Sequence, residues 1–137
     1  MGTTSQLAYE TVTDTFNARD RDQFADALAD DVAFHGPGGI GGEGRTACVA
    51  LYRGLFAAFP DARLDVREVH VADDVIVEEG TLTGTHTGIA CTGRAVALDY
   101  VRVLRSTDGK QVSLGLMLDT VLMFEQLGPI RGAGQAL

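Results

Sequence analysis

The chain has 137 residues, 45% of them apolar and 22% charged, with a formal net charge of −8. These values suit one soluble domain with a real core. The eleven basic residues are scattered among acids, which argues against a nucleic-acid surface, since phosphate binding needs clustered Lys and Arg. No apolar run approaches the ~20 residues of a membrane span. The opening Met1-Gly2-Thr3-Thr4-Ser5-Gln6 carries neither the basic nor the apolar stretch of a secretory signal. Cys48 and Cys91 make no disulfide framework and read as reduced thiols, so a cytoplasmic setting is expected.

In chain order, Thr4 or Ser5 offers an N-cap, and Leu7, Ala8, Val12 and Phe16 follow at helical spacing. Asp20 with Gln23 makes a capping-box pattern for a second helix, with Phe24, Ala27 and Leu28 on one face and Asp30-Asp31 at its end. Val32–His35 reads as a short strand, closed by a glycine-rich stretch from Gly36 to Gly44. That stretch lacks the lysine and order of a phosphate-binding loop and is expected to form a mobile loop at a pocket mouth. Arg45–Phe59 carries a broad apolar stripe, Val49, Tyr52, Leu55, Phe56 and Phe59, and reads as the strongest helix, stopped by Pro60.

The rest reads as sheet. Leu64 and Val66 alternate in one phase, Val69 and Val71 in the other, which predicts a β-bulge. Strands are expected over Val75–Thr85, Ala95–Arg105 and Gln111–Asp119, with a hairpin at Asp108-Gly109 and a helical turn over Val121–Leu127. Helices in front of a bent antiparallel sheet make an α+β class, with a concave cavity suited to a small molecule. Residues 1–130 form the expected domain, and residues 131–137 a flexible tail.

Several blocks resemble the SnoaL-like polyketide cyclases of the nuclear-transport-factor-2-like superfamily. They are Asn17-Ala18-Arg19-Asp20, Asp30 through Pro37, Gly44-Arg45, Ala57 through Asp61, Gly84 through Gly88, Thr92-Gly93-Arg94, Asp108-Gly109-Lys110, Asp119-Thr120 and Gln126-Leu127-Gly128. The resemblance implies a cone-shaped α+β barrel, a homodimer or higher homo-oligomer, and a cofactor-independent aldol closure of a polyketide. It also implies an acid/base carboxylate at the end of the last strand, the position of Asp119. Gly80 stands where relatives often carry a large aromatic, and the last strand, Ser113 through Leu118, is more apolar than theirs.

Asp119 interrupts an apolar stretch, where lost hydration would make a carboxylate a better base; the structural alternative is an N-cap for the turn that follows. Arg102, opposite in phase to Val101 and Val103, points the same way as Tyr100 and Leu104. If that is the cavity face, it would hold an enolate oxygen or a substrate carboxylate; otherwise it faces solvent or pairs with Glu78 or Asp99. His35 and His86 are candidate proton donors, and His70 a solvent-face residue. The histidines are too dispersed in sequence for a ligand motif, so no metal is expected. Expected substrate contacts are Phe16, Phe34, Leu51, Leu55, Phe59, Gly80, Tyr100, Gly115 and Met117; Gly80 and Gly115 would widen the cavity if they face it. A related polyketide-tailoring enzyme and a non-catalytic small-molecule-binding or interaction domain remain the rival readings.

Overall fold

Helices α1 (Thr4–Ala18) and α2 (Arg21–Asp26) lead the chain in a computed structural model that describes residues 4–87 and 92–128. Asp20 caps α2, its carboxylate accepting from the Gln23 N–H at 3.1 Å, so one donor that a helix start leaves open is satisfied. The helix stops at Asp26 and not at Asp30-Asp31, because Leu28 already pairs with Gln111 and opens strand β1 (Leu28–His35). Leu28, Val32 and Phe34 bury on the inner side of that strand.

The glycine stretch is more ordered than a mobile loop. After a turn of 3-10 helix over Pro37–Gly39, Gly41–Glu43 forms a short strand, β2, antiparallel to β1. Helix α3 (Arg45–Ala58) follows and ends at Phe59, whose N–H donates to the Leu55 carbonyl at 2.8 Å just before Pro60.

Strands β3 (Arg63–Ala72), β4 (Val75–Thr85), β5 (Ala95–Thr107) and β6 (Lys110–Leu118) then form an antiparallel meander. Sheet order is β2-β1-β6-β5-β4-β3, with β1 and β6 parallel. The β3–β4 register slips between Val66 and Glu68, where the change of hydrophobic phase places a bulge. Asp108 and Gly109 both take positive φ, 52° and 78°, the conformation of a tight primed hairpin turn. A last helix, α4 (Thr120–Leu127), closes the described chain. The expected tail, 131–137, lies outside the described residues, as do Cys91 and the side chains of Thr4 through Ala8.

Strict alternation divides the sheet. In β5, Val96, Leu98, Tyr100, Arg102 and Leu104 turn inward and are buried, Val96 and Leu98 against α4 and the others toward α1 and α3. On the other face Met117 is exposed, while Val66, Val69 and Val71 share the inner side with their partners Gly80, Glu78 and Ile76 and are exposed there on edge strand β3. The architecture is the α+β cone anticipated from the sequence.

Candidate active site

Strand register sets the polar centre of the site. Glu78 on β4 stands directly opposite Arg102 on β5, and both side chains turn into the cone. The Arg102 guanidinium donates twice to the carboxylate, Nε to Oε2 at 2.6 Å and Nη2 to Oε1 at 3.0 Å. The Tyr9 and Thr13 hydroxyls donate to Oε1 at 2.6 and 3.1 Å, and the Tyr100 hydroxyl to Oε2 at 2.8 Å. Nη2 also donates to Thr13 Oγ1 at 2.6 Å. Glu78 is 0% exposed and Arg102 2%, so the charges persist only because each neutralises the other.

Burial works against the Glu78 charge, but the guanidinium and the donated hydroxyls outweigh it and hold the carboxyl below its ordinary range. Burial likewise works against Arg102, and the Glu78 hydrogen bonds and charge outweigh it, so the guanidinium stays protonated. Burial first, and Glu78 after it, push the Tyr9 and Tyr100 phenols up. These two phenols therefore act as fixed donors.

Above this network lies a cavity of about 440 Å³ between α3 and the sheet. Its wall is mainly aliphatic and aromatic: Phe34, Leu51, Leu55, Phe59, Leu82, Val96, Leu98, Leu114, Leu116, Leu118 and Met123. Arg102 and Tyr52 put polar groups into that wall. Tyr52 projects from α3, and its ring meets Phe16 and Phe24 with centroids 5.5 and 4.7 Å apart. Burial raises its phenol above the ordinary value, while the neighbouring Arg102 opposes that rise. Arg102 Nη1 is buried without a hydrogen-bond acceptor among the described residues. Ile40, 49% exposed, and Gly54 mark the open side of the cavity.

Of the four residues expected to be catalytic, Arg102 and His35 line this space, and Asp119 and His86 do not. Asp119 is exposed and caps α4, accepting from the Leu122 N–H at 3.0 Å. The dehydration invoked for it is absent, because Leu116 and Leu118 turn to the other face of the sheet and Met117, Val121 and Phe124 are themselves exposed. His35 follows the same rule. Phe34 pairs with Leu114 and faces inward, so His35 and its partner Gly115 face outward. An added Cβ on Gly115 would lie 2.7 Å from His35 Nε2, so the imidazole rests on that glycine, and both residues border the cavity. His86 lies behind Phe59, ring centroids 5.3 Å apart, with Nδ1 3.3 Å from Thr92 Oγ1.

Among the expected substrate contacts, Phe34, Leu51, Leu55, Phe59 and Gly115 line the cavity, whereas four others do not. Phe16 is 2% exposed and packs beneath Tyr52 and Phe56. Tyr100 is committed to Glu78. Met117 is 58% exposed on the outer face. Gly80 does not widen the cavity: a Cβ there would meet the Asp65 carbonyl and lie 2.8 Å from the Tyr100 hydroxyl, so the missing side chain admits Tyr100 to its place beside Glu78. Tyr52, expected to pack the core, was missed as a lining residue because it belongs to the apolar stripe of α3.

Away from the cavity, Glu68, His70 and Glu79 gather on the exposed face, their ligand-type atoms within 4.8 Å of one another. No ligand spacing in the sequence announced this cluster, since Glu79 arrives across the strand. His70 Nε2 lies 2.9 Å from Glu79 Oε2 and 3.3 Å from Glu68 Oε2, and the bond to Glu79 raises its imidazole above the ordinary value. Cys48 is buried, and burial pushes its thiol up to about 11, which makes it inert.

The SnoaL-like domain model matches residues 9–114. No curated protein matches the chain. Among solved structures, an NTF2-like protein of unknown function from Burkholderia pseudomallei K96243 is similar, with 24% identity and a TM-score of 0.83 over 93% of this chain and 100% of that one. A candidate SnoaL-like polyketide cyclase from Jannaschia sp. CCS1 is similar at 22% identity and a TM-score of 0.82, over 92% of this chain and 93% of that one. A candidate polyketide cyclase from Streptomyces antibioticus shares 24% identity at a TM-score of 0.78, over 91% of this chain and 99% of that one. These likenesses establish the fold, and the family model spans most of the residues that build it. The chain belongs to the SnoaL-like domain family.

Proposed function

We propose that the protein is an enzyme that closes a ring in a polyketide intermediate by an intramolecular aldol reaction, without a cofactor. The observation that carries this reading is the apolar cavity of about 440 Å³ with Arg102 and Tyr52 in its wall. The volume and lining suit a folded, carbon-rich chain whose two reacting ends must meet, and holding them together supplies much of the rate. Two solved structures of this fold, the Jannaschia and Streptomyces antibioticus proteins, are described as candidate polyketide cyclases.

A carbon between two carbonyls exchanges readily into its enol, so the reaction does not require a strong base. The Tyr52 phenol, beside the Arg102 guanidinium, donates to the oxygen of the second carbonyl. The enol carbon attacks that carbonyl carbon, forming the C–C bond as the C=O π pair moves onto oxygen. Tyr52 gives that oxygen its proton, and the enol O–H proton leaves through water and restores the phenol. Preorganised donors aimed at developing oxygen charge are the main catalytic device in this scheme. Atoms balance, and the product is an isomer of the substrate.

A second reading, binding without turnover, is favoured by one observation: among the described residues no carboxylate lines the cavity, and the imidazole at its border, His35, is exposed. Incubation with a poly-β-keto ester, followed by mass spectrometry and absorbance, separates the two. A protein-dependent cyclic product of unchanged mass is expected. A substrate that binds and stays linear over hours would leave only the binding reading.

The chain is also proposed to pair with a second copy that covers edge strand β3, where Val66, Val69 and Val71 are exposed on one side of the strand, since exposed apolar patches favour burial. Light scattering should give a particle near twice 14.5 kDa. A particle of one chain's mass at micromolar concentration would refute the pairing.

A further inference from the structure

Arginine only donates hydrogen bonds, and Arg102 Nη1, in a side chain 3% exposed, has no acceptor among the described residues. A buried donor left open is costly, and such a group beside a cavity points to something the cavity receives. The Tyr52 phenol lies next to the same guanidinium. The buried side of the cavity therefore offers donors and calls for an acceptor.

The charge of that acceptor follows from Glu78. Its carboxylate already neutralises Arg102 at 2.6 and 3.0 Å, and the hydroxyls of Tyr9, Thr13 and Tyr100 are spent on the same carboxylate. A second anion would share one guanidinium with Glu78 and leave a net negative charge against a wall of Leu, Val and Phe, where an uncompensated charge is strongly disfavoured. A neutral oxygen satisfies the open donor at no such cost.

We infer that the buried end of the cavity receives an uncharged acceptor oxygen, a ketone, ester or lactone carbonyl on an apolar body, and discriminates against carboxylates. The inference rests on reading the cavity as the substrate site, and it adds the charge state of the substrate at its buried end.

Three probes of one shape test it: 2-acetylanthracene, anthracene-2-carboxylate and 2-ethylanthracene, titrated into the full chain at pH 7. The chain has no Trp, so anthracene fluorescence is read without an indole background. The ketone should bind at least about tenfold more tightly than the carboxylate, and also more tightly than the hydrocarbon. Tyr52→Phe, which removes only a hydroxyl, should narrow the gap between ketone and hydrocarbon. Glu78→Gln leaves the guanidinium uncompensated and should move preference toward the carboxylate. If that variant does not fold, the wild-type ranking still decides.

A carboxylate that binds as tightly as the ketone, or a hydrocarbon that does so, would overturn the inference while leaving the cavity as a binding site. Displacement of no bound probe by Gly54→Trp, a side chain placed at the cavity opening, would show that the probes bind elsewhere and would remove the inference and the site together.

Discussion

Arg102→Met should lower stability by about 3–5 kcal/mol, the cost of leaving a buried charge without its partner. Glu78 is fully buried, and its carboxylate would keep the Tyr9, Thr13 and Tyr100 hydroxyls while losing the guanidinium. The pH dependence has a definite sign. In the native protein the folded carboxyl titrates below its ordinary range, so its stabilisation is present above the unfolded value and fades as pH falls through the folded one. In the variant that benefit is gone at neutral pH, and the gap to the native protein should shrink in acid, where Glu78 is protonated in both. Adding Glu78→Gln to Arg102→Met should recover part of the loss. Urea denaturation at pH 7 and pH 4 measures each case, and a loss under about 1 kcal/mol at pH 7 would mean that the pair is not the buried unit its geometry describes.

Tyr52→Phe should reduce ring closure by about 10²–10³, the range for removing one donor from a developing oxyanion. Its melting temperature should change little, since the ring contacts with Phe16 and Phe24 survive. Asp119→Asn should leave turnover unchanged, because asparagine caps a helix about as well as aspartate. Asp119→Ala should cost about 1 kcal/mol of stability for the lost cap with turnover likewise intact. A fall of about 10²–10⁴ in the Asn variant would restore Asp119 as general base and displace Tyr52.

The contrast between these two residues shows where sequence patterns succeed. Alternation along β5 put Arg102 on one face with Tyr100 and Leu104 and named Glu78 among its possible partners, but it left open whether that face was the cavity or solvent; burial of all three decides it. The same alternation, continued along β6, puts Asp119 in phase with outward Met117; the apolar composition around it and its place in the family pattern pointed the other way. Composition reports neighbours in sequence, whereas hydration depends on neighbours in space. His35 was harder, because the face it presents is set by the parallel pairing of β1 with β6, whose sequence separation no local pattern spans. Gly80 illustrates the reverse problem: a missing side chain can enlarge a cavity or admit a neighbour, and only the packing of Tyr100 decides between them. Helices, the bulge and the Asp108-Gly109 turn were legible because each is fixed by chemistry within a few residues.

The claim that the cone's cavity is the working site meets its most direct test in Gly54→Trp. Gly54 lines the cavity on α3, and a Cβ added there meets nothing within 4 Å. Glycine in a helix interior is worse than most residues by roughly 0.5–1 kcal/mol, so the substitution should not unfold the protein. An indole at this position reaches into the space a substrate would occupy. Turnover of the poly-β-keto ester, measured beside the melting temperature, should fall by at least about tenfold with the melting temperature held or raised. Undiminished turnover in a folded Gly54→Trp variant would contradict the account, because the reaction would then proceed somewhere other than this cavity.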